Sequence, residues 1–370
     1  MEKKEVEKVY KSICTPFVLE KDTEYYTDVK NRLMMLKSLL SELGADDKIV
    51  KTVVKFRRIL LSILREYYKG NIASAQMKMI NQIKAICDED CDAVNNINNC
   101  KAFDGDSEDI PFFRARLDAN EDGFESKDMG VIPFTLRTKC STERFSMPGL
   151  PCLYLGNTSY VCWLEMGKPA DFRFNVSPVF LDRTQNVFDL TVSYGDLFDG
   201  DNKGNSVISK DITNGLVKRI MLMICSSYRI KEEQRIFKSE YIIPQLVMMG
   251  CQKRGLDGIA YISTKISNTG IYRVCAINVA LFARYPNNTF RVNCEKSELY
   301  EHVKIGDAFN YAMFKQFTED EPLEAVLWIE RCKWIQNIEI HGQQFPYRQT
   351  EFFDFDKFLV YRWKKGQGAN

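Results

Sequence analysis

The apolar residues of this chain change their spacing near residue 110, and this change constrains the fold more than any other feature. Before it, apolar residues recur three or four positions apart in three stretches that are predicted to be helices: 26–43, 48–68 and 73–86. After it come short β-type runs at 111–117, 151–155, 187–190, 258–263 and 276–282. Helical patterns interrupt these runs at 160–166, 216–228 and 241–254. Strands and helices mixed without a regular βαβ spacing predict an α+β fold with a helical N-terminal extension.

Two local signals refine these boundaries. Gly255 directly follows the predicted helix 241–254, and glycine is a common residue just past the end of a helix. The tail at 352–363 is rich in aromatic residues, which favour β structure, and is predicted to be a strand.

Charge and composition argue against several classes of protein. Lys and Arg (51) nearly cancel Asp and Glu (50), and a net charge of +1 argues against a direct nucleic-acid-binding role. The first residues are charged, and no apolar run approaches the roughly 20 residues of a membrane helix, so we expect a cytoplasmic protein. The cysteine cluster Cys87, Cys91 and Cys100 has no common zinc spacing, so no metal site is predicted.

Familiar catalytic and nucleotide-binding motifs are absent from the sequence. It has no Gly-rich dinucleotide fingerprint, no phosphate loop ending in Gly-Lys-Ser/Thr, no HExxH and no GxSxG. The two histidines, His302 and His341, lie in the weakly patterned C-terminal part. Catalysis would therefore use arginine, carboxylate, hydroxyl and backbone groups.

Two arginines lie on one face of the predicted strand 111–117. Side chains alternate along a strand, so Arg114 and Arg116 share a face while Phe113 and Ala115 share the other. A bound phosphate would satisfy such an arginine with paired hydrogen bonds. The alternative is an exposed or ion-paired arginine on an ordinary strand.

Polar side chains in two further segments could also carry chemistry. Glu165 lies in an otherwise apolar helical turn, where a carboxylate is costly to bury unless it has a partner; otherwise it lies on the solvent side. Ser263 and Thr264 end the predicted strand 258–263, and Asn278 lies on the strand that follows. Alone, these are ordinary strand-end residues.

Taken together, these segments resemble the RES domain, a family named for an Arg, a Glu and a Ser. The most specific part is RFSMPGLPCLYLG, which begins at Arg144, with Glu165 following in a short helix. The later YIIPQL and DGIAYIST blocks follow in the expected order. The resemblance covers 112–281 and neither flank.

The resemblance implies an ADP-ribosyltransferase-like core and a transferase-type enzyme that consumes NAD. RES proteins are typically toxins of bacterial toxin–antitoxin pairs that deplete NAD by phosphorolysis or hydrolysis, or that transfer ADP-ribose. The expected partners are NAD as substrate, inorganic phosphate if the reaction is phosphorolysis, and an antitoxin encoded nearby; no metal or membrane is expected. We divide the chain into a helical N-terminal extension (1–100), the RES core (101–285) and a C-terminal α/β extension packed on that core (286–370).

Mapped onto this sequence, the resemblance implies a set of site residues. The catalytic residues are Glu165, Arg114 and Ser263, and the residues expected to bind the dinucleotide are Arg144, Tyr154, Arg116 and Asn278. Arg114 and Arg144 would contact the pyrophosphate, with Arg116 as the alternative to Arg114. Tyr154 would line the nicotinamide pocket, and Ser263 would hydrogen-bond the ribose or the amide. Nothing in the sequence activates Ser263 as a nucleophile.

The chemistry of NAD cleavage fits these residue types. Breaking the nicotinamide–ribose bond develops oxocarbenium character at the ribose, and the Glu165 carboxylate can stabilise that positive charge. The acceptor of the ADP-ribosyl group stays open between phosphate, water and a protein side chain. One alternative also stays open: a nucleotide-binding or partner-binding module that keeps the fold without catalysis.

Overall fold

The computed structural model describes residues 15–20, 23–96, 111–117, 124–182, 184–200, 206–232, 234–266, 276–284, 298–316, 337–340 and 343–367. Its helices, in chain order, are α1 (Tyr25–Glu42), α2 (Asp47–Tyr68), α3 (Ile72–Glu89), α4 (Ser159–Glu165), α5 (Asn214–Ser226), α6 (Ile242–Arg254), α7 (Tyr311–Phe314) and α8 (Glu351–Gln367). Its strands are β1 (Val94–Asn96), β2 (Pro111–Leu117), β3 (Cys152–Gly156), β4 (Phe174–Leu181), β5 (Asn186–Leu190), β6 (Phe198–Gly200), β7 (Ser206–Ile208), β8 (Gly258–Ile262), β9 (Ile277–Phe282), β10 (Val303–Ile305), β11 (Phe309–Asn310), β12 (Asn337–Ile340) and β13 (Gln343–Pro346). The predicted α+β class is confirmed.

The chain forms two compact units, each assembled from separate stretches of sequence. Unit 1 contains Met1–Asn95, Thr142–Met147 and Val187–Arg273. Unit 2 contains Asn96–Ser141, Pro148–Asn186 and Val274–Asn370. Among the helices described above, none is long and apolar enough to cross a membrane.

In unit 1, helices α1, α2 and α3 each bury one apolar stripe. The buried residues recur three or four positions apart: Val29, Leu33, Leu36 and Leu40 on α1; Val53, Phe56, Leu60 and Leu64 on α2; Ala75, Met79, Ile83 and Ile86 on α3. Helix α3 packs closely on α6, where a Cβ on Gly250 would lie 2.7 Å from Cγ1 of Ile83. The predicted helical N-terminal region is therefore confirmed, and its apolar faces pack within unit 1.

A buried ion pair joins three elements of unit 1. Arg219 on α5 is only 1% exposed, and its Nε donates to Oδ2 of Asp90 at 2.9 Å. Its Nη1 donates to the carbonyl of Asp189 on β5 at 3.3 Å. Because a buried charge is costly unless it is paired and hydrogen-bonded, these contacts fix α5 against β5 and the end of α3.

The strands of unit 1 are few and short. Strands β1, β5 and β8 lie side by side in that order, with β5 parallel to β8. Strands β6 and β7 form a separate antiparallel pair. Gly255 directly follows α6, as the sequence predicts, and its φ of +84° suits glycine. The turn after α6 leads directly into β8.

Unit 2 contains an antiparallel sheet in the order β9-β3-β2-β4-β10, with β11 also paired to β4. Strand β2 pairs with β4 along its whole length, from Pro111 opposite Phe180 to Leu117 opposite Phe174. Strand β3 pairs with β9, which places Gly156 opposite Asn278. Helix α4 packs on β2 and β3. This sheet and helix carry most of the predicted site residues.

The predicted C-terminal strand is wrong, because residues 352–363 belong to helix α8. Phe352, Phe355 and Leu359 are all buried, and their spacing of three and four residues is that of one face of a helix. The aromatic composition favours β structure only weakly. Packing of this apolar face in unit 2 outweighs that preference.

Candidate functional site

Glu165 lies at the C-terminal end of the short helix α4. The hydroxyl of Thr158 caps the helix by accepting the N–H of Val161 at 3.1 Å. Every residue from Ser159 to Leu164 is buried, whereas Glu165 is half-buried. The helix therefore presents this carboxylate at the edge of a buried element.

The Glu165 carboxylate is held by Asn278, another predicted site residue. Nδ2 of Asn278 donates to Oε1 of Glu165 at 2.5 Å, and Asn278 is only 4% exposed. The residue before it, Ile277, exchanges two hydrogen bonds with Asn157 just ahead of α4, at 2.9 and 3.1 Å. Strand β9 thus contacts the chain at both ends of α4, and a buried amide orients the carboxylate.

Gly156 allows α4 to approach the sheet at this point. A Cβ at Gly156 would lie 2.9 Å from Sγ of Cys162 and 3.3 Å from the carbonyl oxygen of Thr158. Cys162 in turn contacts the carbonyl of Phe113 on β2 at 3.2 Å. Burial raises the pKa of the Cys162 thiol far above its ordinary value, so this sulfur packs rather than reacts.

The two arginines of β2 lie in different surroundings. The strand alternates as expected: Phe113 and Ala115 are buried, while Arg114 and Arg116 are half-buried. Nη1 of Arg114 lies 3.5 Å from the carbonyl oxygen of Tyr154 on β3, so these two predicted residues are brought together. Nη2 of Arg116 instead donates to the carbonyl of Gly130 in a loop, at 3.3 Å.

The two remaining predicted residues, Arg144 and Ser263, lie in unit 1. Arg144 donates to the carbonyls of Ser226 and Tyr228, the latter at 2.8 Å, and to the hydroxyl of Thr264 at 2.7 Å. Ser263 is 3% exposed, and its hydroxyl accepts the N–H of Lys265 at 3.1 Å. The structure therefore brings Arg144 beside Thr264, the residue that follows Ser263. The Nη1 and Nη2 groups of Arg144 are bound to protein oxygens.

A second arginine at this position was missed by the sequence reasoning. Nε of Arg229 donates to the carbonyl of Thr264 at 2.8 Å, so Arg144 and Arg229 converge on one residue. Neither guanidinium forms an ion pair with a carboxylate of the described residues. The only signal for Arg229 in the sequence is its position directly after the predicted helix 216–228. Thr264 is therefore bound by two arginines, one at its hydroxyl and one at its carbonyl.

A second missed residue, Asp356 of helix α8, lies behind α4 in unit 2. It is 1% exposed, and its Oδ1 accepts the N–H of Ser159 at 3.0 Å. Its Oδ2 accepts the hydroxyl of Tyr347. Burial raises the pKa of the Asp356 carboxyl to about 7, because the charged form is removed from water and these hydrogen bonds offset only part of that cost.

The described residues contain no group of three or more His, Cys, Asp or Glu that could hold a metal ion. Cys100 of the cysteine cluster and His341 lie outside the described part of the chain. His302 is exposed and lies 3.4 Å from Asp182 at the surface. No histidine is therefore placed beside Glu165 by the described contacts.

Comparisons with known proteins found a similar sequence and a weakly similar solved structure. No protein-family model matches the chain. A protein of Bacillus subtilis (strain 168) named "Putative toxin YopC" is 28% identical over 340 residues, which cover 88% of this chain and 72% of that protein. Among solved structures, the chain is similar to the crystal structure of the M. tuberculosis MbcT–MbcA toxin–antitoxin complex, with a TM-score of 0.31 and 10% identity. That similarity covers 64% of this chain and 95% of the solved chain.

Proposed function

We propose that this protein is a toxin enzyme that consumes NAD by cleaving the bond between nicotinamide and ribose. The observation that carries the proposal is the Glu165 carboxylate, held at 2.5 Å by the buried amide of Asn278. The RES resemblance assigns both residues to an NAD site. The similarity to a Bacillus subtilis protein named as a toxin supports the toxin role. The RES-type, ADP-ribosyltransferase-like core belongs to the same proposal.

The proposed reaction needs an oriented negative charge more than it needs an acid. The C–N bond breaks with its electron pair going to the pyridinium nitrogen, so nicotinamide leaves as a neutral molecule. The ribose carbon becomes positively charged, and an oxygen nucleophile from phosphate, water or a protein side chain then forms the new bond. A protonated nucleophile, such as water, releases its proton to solvent in this step. A fixed carboxylate stabilises that charge as it develops, because it needs no reorganisation during the reaction.

The other residues have the roles that the resemblance implies. Arg114 and Arg144 would bind phosphate oxygens of the dinucleotide, and Arg116 is the alternative to Arg114. Tyr154 would contact the nicotinamide and Ser263 a ribose hydroxyl or the amide. Partners on this proposal are NAD, inorganic phosphate if the reaction is phosphorolysis, and a separately encoded antitoxin, all of them in the cytoplasm.

The test is release of nicotinamide from NAD by the full chain, with and without inorganic phosphate. We expect Glu165→Gln to lower kcat about 10²-fold or more, which is the usual effect of removing one electrostatic stabiliser. Asn278→Ala should lower kcat about tenfold, because the carboxylate would lose its orienting amide. The matched control is Glu125→Gln, which changes an exposed carboxylate of unit 2 and should leave kcat unchanged.

The outcomes separate the candidate activities. Release that requires phosphate identifies phosphorolysis. Release without phosphate leaves two reactions, which the other product distinguishes: free ADP-ribose identifies hydrolysis, and ADP-ribose attached to protein identifies transfer. NAD binding without release would favour the nucleotide-binding module. If NAD does not bind at all, the proposal is wrong.

A further inference from the structure

Helix α4 has only seven residues, so its position depends on what packs around it. A helix this short is not stable alone in water, and tertiary contacts must hold it. Two of these contacts come from helix α8. Oδ1 of Asp356 accepts the N–H of Ser159 at 3.0 Å, and the carbonyl of Phe352 accepts the Ser159 hydroxyl at 3.3 Å. The first residue of α4 is therefore bound through both its backbone and its side chain.

A third contact comes from strand β12. The hydroxyl of Tyr160 donates to the carbonyl of Glu339 at 2.8 Å and accepts the N–H of Glu339 at 3.3 Å. The rings of Tyr160 and Trp163 each lie 5.4 Å from the ring of Phe352, centroid to centroid. Besides its contacts with β2 and β3, α4 thus packs on residues that follow position 336.

A buried aspartate at position 356 costs free energy that an apolar residue of similar size would not. Its carboxyl group is fully buried, and a buried carboxylate loses its hydration. What it provides is a hydrogen-bond acceptor for the N–H of Ser159, one of the first-turn donors that a helix cannot satisfy internally. Thr158 satisfies the N–H of Val161, so the two side chains together accept two of the first-turn N–H groups of α4.

We propose that Asp356 is a positioning residue, which with helix α8 fixes the start of α4 and thereby holds Glu165 at its other end against Asn278. The inference rests on the proposed function of Glu165. The helix is about 10 Å long, so a small tilt at Ser159 is carried to the carboxylate. Misplacing a reacting group by about 1 Å can lower a rate about 10²-fold.

The test compares substitutions of Asp356 in the full chain. Asp356→Ala removes the acceptor, and Asp356→Ser withdraws it from Ser159 because the side chain is one atom shorter. We expect each to lower kcat for nicotinamide release at least tenfold while KM for NAD changes less than about threefold. Asp356→Asn keeps an acceptor oxygen and should retain kcat within about threefold of the unsubstituted protein. Asp354→Asn makes the same chemical change at an exposed position of the same helix and should have no effect.

A second readout separates this inference from the proposed function. Amide hydrogen exchange of the segment 157–166 should become at least tenfold faster in Asp356→Ala or Asp356→Ser, with no change in unit 1. The positioning role is overturned if exchange of the segment 157–166 is unchanged. It is also overturned if kcat is unchanged in a folded Asp356→Ala or Asp356→Ser protein. If no variant and no unsubstituted protein cleaves NAD, the proposed function fails, and the exchange result still decides whether Asp356 holds α4.

Discussion

Replacing Asp356 by Asn is expected to remove a pH-dependent loss of stability from unit 2. Burial raises the pKa of this carboxyl from 3.8 to about 7 in the folded protein. Between these values the folded chain binds more protons than the unfolded chain, so stability falls as pH rises. The stability that the folded state gains from the protonated carboxyl is fully present below about pH 4. It is lost as the pH rises above about 7.

The size of the effect follows from the pKa difference. One pKa unit corresponds to about 1.4 kcal/mol, so the rise from 3.8 to about 7 corresponds to about 4 kcal/mol. About 3 kcal/mol of this is lost between about pH 5 and pH 8. Cys162 and Tyr311 also sense the charge of Asp356, but burial raises the pKa of both groups well above this range. Both groups therefore stay neutral and leave the carboxyl as the group that titrates here.

Urea unfolding followed by tryptophan fluorescence measures this directly. Trp163 and Trp363 lie in unit 2, and the sequence ranges of unit 1 contain no tryptophan, so tryptophan emission reports the unit that contains Asp356. The difference in unfolding free energy between the unsubstituted protein and Asp356→Asn should change by about 3 kcal/mol between about pH 5 and pH 8. Asp354→Asn is the exposed control. A difference that stays constant within about 1 kcal/mol over this range would refute the reasoning.

Three further predictions concern packing and buried charge. Gly156→Ala should destabilise the protein by about 1–3 kcal/mol, because its Cβ would lie 2.9 Å from Sγ of Cys162; adding Cys162→Ala should recover part of that loss. Arg219→Leu should cost about 3–5 kcal/mol by leaving Asp90 buried without its partner. Arg254→Ala, which breaks an exposed ion pair, should cost less than about 1 kcal/mol. Urea unfolding monitored by circular dichroism checks all three, and equal losses for the two arginine variants would contradict the argument from burial.

The parts of the fold that could be predicted are those that local sequence determines. Helices α1, α2, α3 and α6 follow from apolar spacing, and the end of α6 follows from Gly255. Strand β2 has the predicted bounds, Pro111–Leu117. Helix α8 could not be assigned in the same way, because its aromatic residues favour a strand. Its helical stripe stabilises the fold only when the rest of unit 2 is there to pack against it.

In the candidate site, too, the sequence does not predict contacts between residues that are far apart in the chain. Glu165 and Asn278 were both identified by resemblance, but their hydrogen bond joins residues 113 positions apart. Asp356 lies 197 positions from Ser159 in a segment without a motif. Arg229 likewise has no motif of its own. A single sequence shows which side chains can bind one another, and only the folded chain shows which of them meet.

The order in which the chain is synthesised has a consequence for when the proposed carboxylate is in place. In the sequence of unit 2, helix α4 (Ser159–Glu165) comes long before helix α8 (Glu351–Gln367). Helix α4 therefore leaves the ribosome long before the residues that hold its first turn. A nascent chain that stops before position 351 has Glu165 and Asn278 but lacks Asp356. If the proposed function holds and α8 positions Glu165, such a chain would cleave NAD at least tenfold more slowly than a chain that includes α8.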